Sequence, residues 1–227
     1  MNGGRNVEAD RVEDLAAALA RLEGLMKTSG TTAWIGGVEG RLAGTDGTKV
    51  RSLLEREGIG SDTLDATIQI KRMSGQINVL VHAIGIVNAL PYILEPGEVV
   101  ESLSLGAGNT GRDHDLETDR RVAEFKFITW RGADAIRQNS LFADLFNLAN
   151  NPTKRAKYLY VVGKDIPLRF LENRRALNSV LKDARLATRF SAVHGNRYLT
   201  VRDYYDTIRG QVQIVDLVGV VPGLTAA

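Results

Sequence analysis

Between Gln76 and Leu94 an apolar residue recurs at every third or fourth position: Ile77, Leu80, Val81, Ile84, Val87, Leu90, Ile93 and Leu94. That period predicts a helix, and one this apolar is normally buried against a sheet. Pro91 is expected to bend its last turn. Gln76, Asn78, His82 and Asn88 are the polar exceptions, and a lone histidine there reads as a hydrogen-bonded core residue before it reads as a ligand. Beyond the Glu95–Glu98 turn the period changes. Val99–Leu105 alternates as a strand, and Asp113–Glu117 and Val122–Thr129 read as a hairpin joined by Thr118–Arg121. Ala133–Asn150 returns to helical spacing with Ile136, Leu141, Leu145 and Leu148 inward, and Lys157–Gly163 is a buried type of strand. The order helix, strand, strand, strand, helix, strand predicts an α/β (α+β) fold with a mixed central sheet flanked by helices.

The flanks are mainly helical. Residues 1–6 read as disordered, Val7–Lys27 as an amphipathic helix, and the Gly/Thr-rich Thr28–Gly47 as a loop with an extended piece near Trp34 and Ile35. Its glycines lack the spacing of a phosphate-binding loop. Thr48–Glu57 predicts a short helix closed by Gly58, and Ser61 or Asp62 caps another through Thr63–Met73. After Pro167 a long basic helix runs to about Phe190. His194–Asn196 makes a turn, Val201–Arg209 is helical, and the apolar tail offers a strand and a subunit contact.

Strand parity brings out candidate chemistry in the hairpin. Val122, Glu124, Lys126 and Ile128 share one face, and Ala123, Phe125 and Phe127 share the other, the expected core face. If the loop is Thr118–Arg121, Glu117 pairs with Val122 and Asp115 lies opposite Glu124. An even loop keeps the aspartate beside the glutamate, and an odd one turns it away. Opposed carboxylates repel unless a cation sits between them. Mg²⁺ or Mn²⁺ suits such oxygen donors, and an adjacent lysine can orient a water or steady charge on a phosphate.

Composition narrows this only slightly. Cysteine is absent, which removes disulfides and thiolate chemistry and fits a reducing, cytoplasmic setting. No signal-peptide or membrane-spanning pattern is evident, so no membrane partner is expected. The net charge is only +2, but Pro152–Arg209 holds thirteen Lys/Arg against five Asp/Glu, an excess suited to a phosphate backbone or simply to a solvated face.

Asp115-x8-Glu124-x-Lys126 between the second and third strands of this element order resembles the PD-(D/E)XK, or restriction-endonuclease-like, nuclease superfamily. The resemblance covers roughly residues 76–163. It implies an αβββαβ nuclease core over 76–165, with a helical N-terminal extension over 1–75 and a basic helical C-terminal extension over 166–227 packed on the core. It further implies Mg²⁺- or Mn²⁺-dependent phosphodiester hydrolysis in nucleic acid, DNA before RNA. Asp115 and Glu124 would hold the metal with the Phe125 carbonyl, and Lys126 would position or activate the attacking water. Some branches carry Gln-x-x-x-Tyr on the next helix, where this chain has Gln138 and, in place of the tyrosine, Phe142. Gln138 is therefore a supporting candidate, and Asp113, like Glu117, reads as a supporting or solvated acid rather than a metal ligand. His114 stands where the superfamily's name puts proline. Arg131, Arg137, Arg174, Arg175, Lys182, Arg185 and Arg189 are the candidate backbone-contacting residues, and Arg112, Arg120 and Arg121 are turn arginines of the kind usually solvated. Trp130, Tyr204 and Tyr205 are stacking or packing residues. A homodimer, or a place in a defence or repair assembly, accompanies this reading. A catalytically silent nucleic-acid-binding or assembly module is the alternative, and an acidic hairpin binding a basic partner is a third.

Overall fold

The structure, a computed structural model, describes residues 15–23, 31–106, 111, 113–127 and 134–224. Residues 1–6, most of the flanks of the first predicted helix, the tip of the Gly106–Arg112 loop, and Ile128, Trp130 and Arg131 lie outside them. The chain divides into two compact units, residues 1–78 and 79–227.

The first unit is helical: α1 (15–23), α2 (Thr31–Leu42), α3 (Gly47–Glu57) and the first half of α4 (Ser61–Ile93). The predicted Thr28–Gly47 loop is corrected by α2. Each glycine costs a helix about 1 kcal/mol relative to alanine, yet Trp34, Val38 and Leu42 fall at i, i+4, i+8 and are half-buried together. Spacing outweighs propensity there. Asp46 caps α3 by accepting the Thr48 and Lys49 N–H groups, and Gly58 closes it with a positive φ of 66°. The two helices expected on either side of Ser74-Gly75 are one, since a single interior glycine does not stop a helix.

The second unit is α+β. Its open five-stranded sheet runs β1 (Val100–Leu103), β2 (Leu116–Thr118), β3 (Arg121–Lys126), β4 (Ala156–Val161) and β5 (Val212–Asp216), in that spatial order. The first three strands are antiparallel and the last three parallel. Helix α5 (Ala135–Asn150) makes the crossover from β3 to β4. The predicted long basic helix is instead α6 (Asp165–Leu171), a 3₁₀ turn at Leu177–Ser179, and α7 (Ala184–His194). Asp183 restarts the helix by accepting the Leu186 N–H. Helix α8 (Val201–Ile208) follows, opened by a Thr200–Asp203 capping box.

Both sheet faces are covered. Val122, Leu159 and Val161 meet Leu141, Leu145 and Leu148 of α5 and residues of α6, α7 and α8. Leu116, Ala123, Phe125 and Tyr160 meet Ile86, Ala89 and Ile93 of α4. Thus α4 turns only one narrow edge to the sheet, while Leu80, Val81, Ile84 and Val87 stay about half exposed. A helix apolar all round does not reveal which side is covered. By length and composition α4 is also the one described helix able to cross a membrane, although its Ile86 edge is committed to the sheet. Gly85 sets the contact: a Cβ there would come within 2.6 Å of the Phe127 ring. Ile136, expected inward, is 82% exposed.

Arg121, expected in solvent, is buried. Its guanidinium pairs with Glu98, and Nη1 donates to the Tyr160 hydroxyl at 2.9 Å. Burial alone would raise the Glu98 carboxyl, but Arg121, the Glu95 N–H and the Thr118 hydroxyl bring it down to about 2. Thr118 Oγ1 also accepts the Arg120 and Arg121 N–H groups at 3.0 and 2.9 Å, closing the hairpin turn. Removing one partner of such a pair leaves a buried charge unmatched. Arg121→Ala is therefore expected to lose about 3–5 kcal/mol of stability, read as the shift of the urea unfolding midpoint.

Candidate active site

The β2–β3 register pairs Leu116 with Ala123 and Glu117 with Val122. That is the even-loop register, and one step further it sets Asp115 level with Glu124. The Asp115 Oδ2 accepts the Phe125 N–H at 2.9 Å, which extends the pairing by a side chain where the ladder ends. Glu124 and Lys126 lie on the α5 side of β3. Glu124 is 8% exposed, far more enclosed than an outer hairpin face would be.

Three residues outside the predicted set complete the cluster. Asp144 of α5 forms an ion pair with Lys126 at 2.5 Å. His82 of α4 stands 3.3 Å from Asp115 Oδ1, and His114 Nδ1 stands 3.0 Å from Glu124 Oε1. His114 Nε2 meets the Asn151 Nδ2 at 2.7 Å. An amide nitrogen can only donate, so Nε2 accepts and the ring proton sits on Nδ1, directed at Glu124. Asp144 had a legible signal, being the one acid in α5 and lying between Leu141, Leu145 and Leu148 at helical spacing. His114 and His82 had none, because their partners depend on how α4 and the preceding loop close over the strand end.

Proton affinities diverge within the cluster. Burial, reinforced by the charges of Asp144 and Asp115, pushes Glu124 up to about 7 despite the His114 bond. Burial also acts to raise Asp115, but the His82 and Phe125 bonds and the nearby Lys126 hold it below the ordinary aspartate range. Burial disfavours the Lys126 ammonium, and Asp144, Glu124 and Asp115 more than compensate, keeping it charged. Burial raises Asp144 against the pull of Lys126. His114 is raised too, the bond and charge of Glu124 overcoming burial. One carboxyl biased toward its proton beside another biased against it is an arrangement that divides acid and base roles.

The remaining predicted residues are placed less centrally. Asp113 is exposed, at the mouth of a small cleft shared with His114 and Asn151. Gln138 is buried on α5 and its Oε1 accepts from Arg175, whose Nε donates to Ser179. Arg175 is thus a structural tie. Arg137 pairs with Asp134, the cap of α5. Arg174, Lys182, Arg185 and Arg189 are exposed. Arg120 pairs with Glu95 at 3.0 Å. Tyr204 and Tyr205 are buried among core residues, which settles them as packing. Arg112, Trp130 and Arg131 lie outside the described residues.

Among the described residues no three His, Cys, Asp or Glu side chains converge into a metal cage. Asp115, Glu124 and the Phe125 carbonyl are oxygen donors only, and Mg²⁺ is commonly held by one or two carboxylates with water and substrate oxygens filling the rest. With all three acids ionised, Asp115, Glu124, Asp144 and Lys126 sum to −2, the complement of a divalent cation. The donor chemistry fits. Comparisons with family models, curated proteins and solved structures found no match.

The raised Glu124 has a thermodynamic consequence. Between the ordinary glutamate range and about 7, the folded state binds more protons than the unfolded one, so this group's contribution to stability falls as pH rises through that window. Glu124→Gln is expected to be near neutral at about pH 4 and to stabilise the metal-free protein by roughly 1–3 kcal/mol at about pH 8. Thermal unfolding at the two pH values checks this. Mg²⁺ or Mn²⁺ should raise the wild-type melting temperature at the higher pH and the variant's much less.

Proposed function

We propose that this chain is a metal-dependent nuclease that hydrolyses phosphodiester bonds, with DNA as substrate and Mg²⁺ or Mn²⁺ as cofactor. The observation that carries the reading is the placement of Asp115 opposite Glu124, with Lys126 on the same strand face and Asp144 against the lysine. The order α4, β1, β2, β3, α5, β4 supports a restriction-endonuclease-like core, because it puts these groups at the open end of β3 between two helical layers.

Asp115, Glu124 and the Phe125 carbonyl would hold the metal, which when bound supplies Lewis-acid polarisation of a phosphoryl oxygen and a more acidic water. The chain's own groups do the rest. Lys126, kept cationic by its acidic neighbours, steadies negative charge growing on the phosphate and orients a water by donating to it. Asp144 positions Lys126 by holding its ammonium at 2.5 Å. His82 and His114 orient Asp115 and Glu124. Burial of Glu124 keeps a proton exchangeable near neutrality at the site. A homodimer suits cutting both strands of a duplex.

Cleavage of plasmid or linear duplex DNA is expected in Mg²⁺ or Mn²⁺ and is expected to stop in excess EDTA. Lys126→Ala should lower the rate at least about 100-fold with its circular dichroism unchanged, while the loss of the Asp144 partner lowers its melting temperature. Full activity in that variant, or in EDTA, would refute the site. Salt-dependent DNA binding with no cleavage under either metal would favour the catalytically silent module instead.

A further inference from the structure

Helix α5 carries a stripe that the carboxylate cluster does not use. Asn139, Ala143 and Asn147 fall at i, i+4, i+8 and line one wall of a cleft of about 500 Å³, with Arg185 and Arg189 of α7 on the other. The small alanine between two asparagines leaves the cleft open at its middle, and Ser140 adds a hydroxyl. The Oδ1 atoms of both Asn139 and Asn147 are buried and have no hydrogen-bond partner among the described residues. Buried acceptors without donors are uncommon and ask for an explanation. Arg185 and Arg189 are exposed and form no ion pair among the described residues, and Arg189 is oriented by lying 5.5 Å over the Phe146 ring. Asp183, the acid of the cleft, is committed as the cap of α7.

The cleft therefore lacks two things: anions for its guanidinium groups, and N–H donors for its carboxamide oxygens. A nucleotide supplies both. Phosphate oxygens suit arginine, and base edges carry the amino and imino hydrogens that asparagine reads. Asn147 and Arg189 also line the neighbouring cleft that reaches His114, so the stripe leads to the carboxylate cluster. An acidic peptide would satisfy the arginines but not select for a planar donor edge at two amides.

We infer that the α5–α7 cleft is the track of the DNA strand, with phosphates on Arg185 and Arg189 and a base edge against Asn139 and Asn147. The inference rests on the nuclease reading for its substrate, but its test does not depend on turnover.

The test measures anisotropy of a labelled DNA strand of about 16 nucleotides, single and duplex, titrated in EDTA with Lys126→Ala protein. Adding Arg185→Ala and Arg189→Ala should weaken binding at least about 10-fold and flatten the slope of log affinity against log salt by about 2. Asn139→Ala with Asn147→Ala should weaken binding and leave that slope unchanged, which a purely electrostatic surface would not do. Arg185 and Arg189 are exposed and Asn139 and Asn147 are partly buried, and melting temperatures check that the variants fold. Unchanged affinity and slope in the double-arginine variant would overturn the inference, even if the wild type cleaves DNA in Mg²⁺. Loss of binding in that variant would sustain it, even if the wild type cleaves nothing. Displacement of the strand by polyglutamate at equal charge concentration would also overturn it, in favour of an acidic-peptide site.

Discussion

The guanidinium of Arg121, enclosed between Glu98 and the Tyr160 hydroxyl, is the constraint on which the second unit is set. Arg121 is the first residue of β3, Glu98 precedes β1, and Tyr160 lies in β4. One side chain thus ties three parts of the sheet at the base of the hairpin. Thr118 bonds to Glu98 and receives the N–H groups of Arg120 and Arg121, so the turn cannot lengthen or shorten without breaking a buried ion pair. Register propagates from there. A slip of one residue would move every β3 side chain to the opposite face, sending Glu124 and Lys126 against α4 and Phe125 against α5. The cost of unpairing a buried charge makes that slip unaffordable.

With register secured, the site is an argument about crowding. Three carboxylates and one lysine gather at the end of β3, where burial makes each charge costly. Lys126 neutralises part of the excess and Glu124 responds by retaining its proton toward neutrality. The two histidines stand outside this ring and act on orientation, one from α4 and one from the loop before β2. Gly85 belongs to the same account, because a side chain at that position of α4 would collide with the Phe127 ring.

Much of this was legible along the chain. The two-residue period of β3 put Glu124 and Lys126 on one face before any contact was known, and the even turn on which Asp115 depended is the one the register shows. What stayed hidden depended on partners distant in sequence. Arg121 looked like a turn residue because its acid lies twenty-three positions earlier. The covered edge of α4 could not be chosen when every edge was apolar. The helix at Thr31–Leu42 was masked by glycines whose penalties its own spacing overcame, and the basic segment after Pro167 looked continuous because Asp183 reads as one more surface charge until it caps α7.

The bond between His114 and Asn151 gives the site a polarity. Asn151 Oδ1 accepts the Thr153 N–H, which fixes the sense of the amide and turns its nitrogen to His114 Nε2. From Thr153 through Asn151 and His114 to Glu124, every donor points the same way, so the dipoles add and partial positive charge accumulates at the carboxylate. The turn that ends α5 thereby acts on Glu124 as a distant electrode. An amide three hydrogen bonds removed along this chain, touching no acid itself, favours the charged form of Glu124 against the burial that opposes it.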